Sequence, residues 1–154
     1  MRPLSRSDRG PIERILRECG AFRDDEVAVA LELVDAPESE GYEFLVAELE
    51  GAVAGYACFG ATPMTQGTFD LYWIAVDPKA QGRGIGKALL RGVDEALRER
   101  GGRLLLIETA SKASYAATRA FYEASGCREV ARVPDFYAVG DDKVVYAREF
   151  GRSQ

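Results

Sequence analysis

A glycine-rich segment carries the clearest chemical signal in the sequence. Gln81, Gly82, Gly84 and Gly86 follow a predicted strand that ends at Val76 and precede a predicted helix. Glycines let the backbone come close to a ligand, and unpaired N–H groups at a helix N-terminus favour an anion by about 0.3–1 kcal/mol. The segment therefore predicts a site for a phosphate group.

Two common phosphate-binding loops do not fit this segment. A Walker loop needs Ser or Thr after the lysine and a glycine five positions before Gly86, but Ala88 and Gln81 occupy those places. A dinucleotide fingerprint that starts at Gly82 needs glycine where Lys87 stands. A tight turn with no ligand is the alternative interpretation, but it needs only one residue of positive φ. We therefore interpret the segment as a ligand site.

Composition excludes several classes of function. Histidine is absent from all 154 residues, which excludes Ser-His-Asp and Cys-His triads and the common zinc sites, so no metal is expected. A net charge of −5 argues against nucleic acid or an anionic membrane as a partner. Cys19, Cys58 and Cys127 lie far apart, so no disulfide framework is indicated. Without a long apolar run or a leader pattern, we expect a cytoplasmic protein.

The order of predicted elements indicates one mixed domain over residues 1–154. Helices are predicted from Pro11 to Gly20, from a capping Asp24 to just before Pro37, along a stripe that starts at Ile85, and over 114–125. The apolar run 104–107 is typical of a central strand covered on both faces. The other predicted strands are 42–50, 52–60, 69–76, 127–133 and 143–149. This mixture predicts an α+β (mixed α/β) fold.

Two segments together resemble a known family. Gln81, Gly84 and Gly86 fit Q-x-x-G-x-G after a strand and Asp77-Pro78, and the segment 120–127 reads A-F-Y-E-A-S-G-C. Over about 42–149 the chain is similar to the GNAT superfamily of N-acetyltransferases. The resemblance implies a central, mostly antiparallel twisted sheet flanked by helices. It also implies acetyl-CoA as co-substrate and transfer of its acetyl group to an amine.

The resemblance implies a set of coenzyme-binding residues. Backbone N–H groups of the third strand would meet the thioester where the family's sheet opens, and the glycine-rich loop would hold the pyrophosphate. Tyr115 stands where the family commonly has an asparagine on the pantetheine arm. The full set implied is Ala75, Val76, Gln81, Gly82, Arg83, Gly84, Ile85, Gly86, Lys87 and Tyr115.

Acetylation of an amine needs an acid and a base. An alkylammonium with a pKa of about 10.4 is neutral roughly once in 2,500 molecules at pH 7, so the site must remove a proton. The resemblance implies Tyr122 as the acid that protonates the leaving thiolate. Asp70 and Glu108 each occupy a place where some family members carry the base, and the choice stays open. The alternative for each carboxylate is a solvated strand end.

The acceptor is expected to be a small-molecule primary amine that attacks directly in a ternary complex. The alternatives are a protein or peptide N-terminus as acceptor, or a non-catalytic acyl-CoA sensor. An exposed edge strand would also permit a homodimer. Acidic and aromatic residues predicted near the acceptor are Asp24, Asp25, Glu26, Glu32, Asp35, Tyr42, Asp135, Phe136, Tyr137, Asp141 and Asp142.

Overall fold

Helices and one six-stranded sheet make up residues 1–150, the part of the chain that the computed structural model describes. The helices are α1 (Arg9–Glu18), α2 (Asp24–Asp35), α3 (Ile85–Glu99) and α4 (Ala116–Ala124). The strands are β1 (Glu43–Leu49), β2 (Ala52–Ala61), β3 (Thr68–Val76), β4 (Leu104–Ala110), β5 (Arg128–Ala138) and β6 (Asp141–Glu149). No helix within residues 1–150 is long and apolar enough to cross a membrane.

The sheet has the strand order β1-β2-β3-β4-β6-β5. Every neighbouring pair is antiparallel except β3 and β4, which are parallel because α3 carries the chain back across the sheet between them. The β1–β2 hairpin turns at Glu50 and Gly51, both with positive φ, which suits the right-handed twist of paired strands. The α+β class and the mostly antiparallel sheet predicted from the sequence are confirmed.

Helices cover both faces of the sheet, but unequally. Leu89, Val93 and Leu97, one helical turn apart on α3, are fully buried against the β-sheet in a core that also contains Tyr122 of α4. On the other face, α1 and α2 pack over β1, β2 and β3 in a second core. Each buried aliphatic side chain contributes about 1.5–3 kcal/mol, so these two cores fix the sheet that carries the site.

The prediction that β4 is covered on both faces is only half correct. Leu105 and Ile107 are at most 1% exposed beneath the α3 core. Leu104 and Leu106 on the opposite face are only partly buried. The physical reason is that α1 and α2 reach only as far as β3. The other face of β4 is therefore available to form the wall of a cleft.

Two local predictions also need correction. Arg23, not Asp24, is the N-cap of α2, and the Glu26 carboxylate accepts the Arg23 N–H at 3.2 Å. The strand predicted to stop at residue 133 continues to Ala138, with an irregular register around Asp135, whose φ is +54°. All residues of this edge strand are exposed, and a homodimer through it stays a prediction.

Candidate active site

A cleft opens where β3 and β4 separate at their carboxyl ends. The two strands pair only over 68–71 and 104–107. Beyond that, β3 stays paired with β2 as far as Val76, and β4 stays paired with β6 as far as Ala110. Each strand follows its outer neighbour, so the facing edges diverge. The resulting cleft has a volume of about 1130 Å³.

The register of β3 decides which of its N–H groups face the cleft. The Asp77 N–H donates to the Ala54 carbonyl of β2 at 2.8 Å, and Ala75 and Val76 lie opposite Tyr56 and Gly55. In an antiparallel ladder, N–H groups point alternately toward and away from the partner strand. The Val76 N–H therefore points to the open edge, as does that of Ile74, which the sequence analysis did not include.

The same alternation corrects one predicted donor. Ala75 lines the cleft, but its N–H points toward β2. Ala75 therefore forms part of the cleft wall but has no N–H group available to a ligand. Sequence alone does not show which N–H groups of a strand point to its open edge, because that depends on the pairing register with the neighbouring strand.

The glycine-rich loop forms the donor end of the cleft. Gly82 and Gly84 have φ near +80°, a conformation that L side chains rarely adopt, and Gly84 is the N-cap of α3. Glycine is required at position 86 for a different reason, because a Cβ there would lie 3.2 Å from the Phe121 ring. The first helical hydrogen bond runs from Ala88 to Gly84, so the earlier N–H groups of α3 have no partner within the helix. These groups suit a phosphate.

Asp77 ties this loop to α1. Asp77 is 7% exposed, and its carboxylate accepts Arg14 Nη2 at 2.9 Å and the Lys79 N–H at 3.0 Å. The Arg14 guanidinium, followed by the Lys79 N–H, holds the pKa of Asp77 below its usual range. The carboxylate is therefore charged at neutral pH and positions the start of the loop.

Asp77→Asn is expected to destabilise the protein by about 1–2 kcal/mol at pH 7, because Arg14 loses a charged partner. The folded pKa lies below the unfolded value of about 3.9, so this contribution is present above that value and is lost as pH falls through the folded pKa. Urea unfolding at pH 7 and near pH 3 measures the change. Asp35→Asn, which removes the exposed pair with Arg9, is the control and should cost under about 0.5 kcal/mol. A penalty for Asp77→Asn that stays constant with pH would contradict this account.

Tyr122 lies on the cleft wall with its ring in the core. It is 5% exposed and packs against Phe121 and Tyr146 at ring-centroid distances of 5.6 and 5.8 Å. No group within residues 1–150 hydrogen-bonds its hydroxyl. Burial, and secondarily the nearby Cys127, raises the pKa of Tyr122, so the phenol keeps its proton at neutral pH. Such a hydroxyl can donate a proton to a ligand in the cleft.

Both candidate carboxylates line the cleft, on the same face of the sheet. Asp70 lies opposite Leu106, and Glu108 follows two positions further along β4. Thr62 Oγ1 donates to Asp70 Oδ2 at 2.7 Å, and no cation of residues 1–150 lies within 4 Å of Asp70. Glu108 instead forms an ion pair with Lys143 at 3.1 Å, and its side chain is 54% exposed. The two carboxylates therefore differ in electrostatic environment.

The acceptor side was predicted in part. Asp25, Glu26, Tyr137 and Asp141 line the cleft as expected. Asp141 has a structural role, because its carboxylate accepts the backbone N–H groups that follow β4, both at 3.1 Å. The remaining predicted acceptor residues do not line the cleft: Asp24, Glu32, Asp35, Tyr42, Asp135, Phe136 and Asp142.

Tyr115 connects the two sides of the cleft. Its hydroxyl donates to Glu26 Oε2 at 2.6 Å, so α2 is tied to the start of α4. Burial, followed by this hydrogen bond, raises the pKa of Tyr115. Its ring also contacts Phe22, which in turn contacts Trp73. Sequence reasoning missed Phe22 and Trp73 as wall residues, since nothing in the spacing of the two motifs points to them.

The cleft brings together nearly the whole predicted site. All three catalytic candidates line it. Arg83 is the exception among the coenzyme-binding candidates, since it is exposed on the loop and does not line the cleft. The coenzyme candidates that do line it are Ala75, Val76, Gln81, Gly82, Gly84, Ile85, Gly86, Lys87 and Tyr115.

The family follows from comparison with known proteins. A family model described as an acetyltransferase (GNAT) domain matches residues 40–128, more than half of the chain. A crystal structure of a protein assigned to the GNAT family from Desulfovibrio desulfuricans is 44% identical, with a TM-score of 0.92 over 96% of both chains. The chain belongs to the GNAT acetyltransferase family.

Other relatives differ in what their names say they act on. The [ribosomal protein bS18]-alanine N-acetyltransferase of Escherichia coli K12 is 36% identical over 87 residues, which span 56% of this chain and 57% of that relative. The solved E. coli ribosomal-protein-S18-alanine N-acetyltransferase is 25% identical with a TM-score of 0.78, over 99% of this chain and 94% of that one. An aminoglycoside 6′-N-acetyltransferase solved with coenzyme A shares the fold at 17% identity and a TM-score of 0.76, over 99% and 98%.

Proposed function

We propose that this chain is an acetyl-CoA-dependent N-acetyltransferase that acetylates a primary amine by direct attack. The observation that carries the proposal is the cleft between β3 and β4, with an uncommitted Tyr122 hydroxyl and free strand N–H groups on its walls. Its two ends carry opposite charge. The glycine-rich loop and Lys87 form one end, and Asp70 and Glu108 lie toward the other.

The residues present fit acetyl-CoA. In residues 1–150, the Lys and Arg side chains that make no hydrogen bond, ion pair or ring contact are Arg6, Lys79, Arg83, Lys87 and Arg91. All but Arg6 lie in or beside the loop and the first turns of α3. In a chain of net charge −5, a cluster of unpaired cations favours a ligand with several negative charges. The phosphates of acetyl-CoA have that property.

Acetyl-CoA supplies the acetyl group as a thioester. Residues of this chain would stabilise the charge that develops during transfer and would donate and accept the protons. The Val76 N–H is placed to stabilise negative charge that develops on the carbonyl oxygen. Tyr122 would protonate the departing sulfur. Asp70, which has no cationic partner among residues 1–150, would accept the proton from the amine, directly or through water. Glu108, held in an ion pair by Lys143, would line the path of the amine.

The proposed acceptor is a small-molecule amine. The carboxylates at the acceptor end match the charge of an ammonium, whether it belongs to a small molecule or to a protein N-terminus. A second candidate is the amino terminus of a protein. Two observations favour that candidate: the E. coli relative is named for a ribosomal protein, and the exposed edge strand β5 continues into Tyr137 on the cleft wall. A peptide backbone could lie along such an edge.

Thiol release from acetyl-CoA tests the function and separates the two acceptor classes. The panel contains polyamines, amino acids, aminoglycosides and peptides with free or blocked N-termini, including N-terminal alanine. Release above the rate without acceptor is expected for one class, with a product heavier by one acetyl group in mass spectrometry. Release only with free-amine peptides would establish the second candidate. Absence of acetyl-CoA binding in calorimetry at millimolar concentration would refute the proposal.

Direct attack predicts a particular kinetic pattern. Cys19 is a cleft residue, whereas burial raises the pKa of Cys58 to about 12 and keeps it as a thiol. If no acetyl-cysteine forms, double-reciprocal plots intersect and Cys19→Ser keeps kcat within about twofold. Parallel lines together with an inactive Cys19→Ser variant would instead establish a covalent route.

A further inference from the structure

An aromatic layer crosses one side of the cleft. Trp73 of β3, Phe22 of the loop between α1 and α2, and Tyr115 just before α4 all line the cleft. The centroid of the Phe22 ring lies 6.1 Å from that of Trp73 and 6.4 Å from that of Tyr115. The hydrogen bond from Tyr115 to Glu26 holds one end of the layer in place. The three rings therefore form a continuous aromatic wall from β3 to α4.

Two rings of the aromatic wall are not fully covered by the protein. Tyr115 is 7% exposed, and the Lys112 ammonium lies 5.1 Å from the centroid of its ring. Phe22 and Trp73 are only partly buried, and no Lys or Arg of residues 1–150 stacks on either ring. The indole Nε1 of Trp73 is enclosed, so any part of the indole that is open to the cleft is carbon surface. An aromatic group of a ligand can pack on such a surface.

The Asp70 carboxylate lies on the same face of the sheet as the Trp73 indole. Their partners on β2, Gly60 and Cys58, are alternate residues of that strand. A bulge at Tyr72 takes up the extra residue of β3. Neighbours on one face of a strand lie about 7 Å apart. A ligand whose ammonium meets Asp70 can therefore place an adjoining group on the Trp73 ring.

We propose that the acceptor is a primary amine that carries an aromatic ring, which packs on Phe22 and Trp73 while its ammonium lies at Asp70. The inference rests on the proposed function, since it narrows the acceptor of the same site. Aromatic rings attract one another beyond the effect of the area that they bury. A short aliphatic linker between ring and ammonium spans the two contacts. A free arylalkylamine and a peptide that begins with an aromatic residue share this chemistry.

The test compares primary amines of equal charge that differ in the ring. Phenethylamine, cyclohexylethylamine and ethylamine are assayed by thiol release from acetyl-CoA. We expect kcat/KM for phenethylamine to exceed that for cyclohexylethylamine by about threefold to tenfold, as for one aromatic pair. It should exceed that for ethylamine by about 10²-fold, because ethylamine has no ring to bury. Equal values for the phenyl and cyclohexyl amines would overturn the inference and leave the proposed function intact.

Peptides distinguish the two sources of the ring. Peptides with a free N-terminal phenylalanine are compared with otherwise identical peptides that begin with alanine. Acetylation of the phenylalanine peptides without acetylation of phenethylamine would assign the ring to an N-terminal residue. Acetylation of phenethylamine alone would assign it to a small molecule. Equal acetylation of both peptides, with no preference among the free amines, would overturn the inference.

A pair of variants separates ring recognition from a structural role. Phe22→Leu is expected to lower the preference for phenethylamine over cyclohexylethylamine to within about twofold. Phe44→Leu is the matched control, because Phe44 is partly buried in the same core but does not line the cleft. It should keep the preference of the wild type. An equal loss for all three amines in Phe22→Leu would show that the ring acts on the fold alone and would overturn the inference.

The fluorescence of Trp73 reports binding at the aromatic wall without acetyl transfer, because the sequence contains one tryptophan. Phenethylamine is expected to change this emission at a lower concentration than cyclohexylethylamine, with or without CoA. Equal midpoints for the two amines would contradict the inference. If acetyl-CoA does not bind, the proposed function fails, and the titration without CoA still decides whether the wall binds an aromatic amine.

Discussion

Tyr122→Phe is expected to lower kcat by about 10²–10³-fold, within the range of general acid catalysis, and to leave the Kd for acetyl-CoA within about twofold. The hydroxyl makes no hydrogen bond within residues 1–150, so its removal breaks no structural contact. The buried ring keeps its packing against Phe121 and Tyr146. Single-turnover acetyl transfer, followed by mass spectrometry, measures the chemical step without product release.

Tyr146→Phe is the matched control for Tyr122→Phe. Tyr146 is buried in the same core and its ring contacts Tyr122, but its hydroxyl donates to Glu123 at 3.0 Å and it does not line the cleft. Removal of the Tyr146 hydroxyl should lower the free energy of unfolding and leave kcat nearly unchanged. Because burial raises the pKa of Tyr122, kcat should show no loss from phenol ionisation below about pH 10. Equal kcat losses in the two variants would contradict an acid role for Tyr122.

The donor end of the site could be predicted from sequence because its determinants are local. Gly82 and Gly84 supply the positive φ of a turn that connects β3 to α3. The helix that follows has leucines on one face. Its free N-terminal N–H groups come directly after Gly84, as the spacing of the glycines and leucines predicts. Each of these features depends on residues within about one turn of one another. Long-range packing was not needed to locate them.

The acceptor end could not be predicted in the same way, because distant segments meet there. Phe22 contacts Trp73 and Tyr115, and Glu26 accepts the hydroxyl hydrogen of Tyr115. These contacts depend on how α2 lies over the sheet, which no local pattern encodes. For the same reason the sequence did not show that the face of β4 that carries Leu106 borders a cleft.

Asp70→Asn is expected to lower kcat/KM for the amine by at least about 10²-fold, and Glu108→Gln by about tenfold or less. Asp70 has no cationic partner within residues 1–150, and its Oδ1 is free of the Thr62 hydrogen bond. Asparagine can still accept that bond through its amide oxygen, so the change removes charge and basicity with little effect on packing. Glu108 forms an ion pair with Lys143, and its side chain is more than half exposed. Both features make it the weaker proton acceptor.

The contrast between the two variants decides the base, because each removes one carboxylate charge from the same sheet face. A base that takes a proton from the amine acts on kcat/KM most strongly at low pH, where little amine is neutral, so the defect of Asp70→Asn should shrink as pH rises toward 10. A residue that only attracts the ammonium would instead change KM and lose its effect in high salt, the behaviour expected of Glu108→Gln. If Glu108→Gln shows the pH-dependent loss and Asp70→Asn does not, the base is Glu108, and the ion pair with Lys143 must open during turnover.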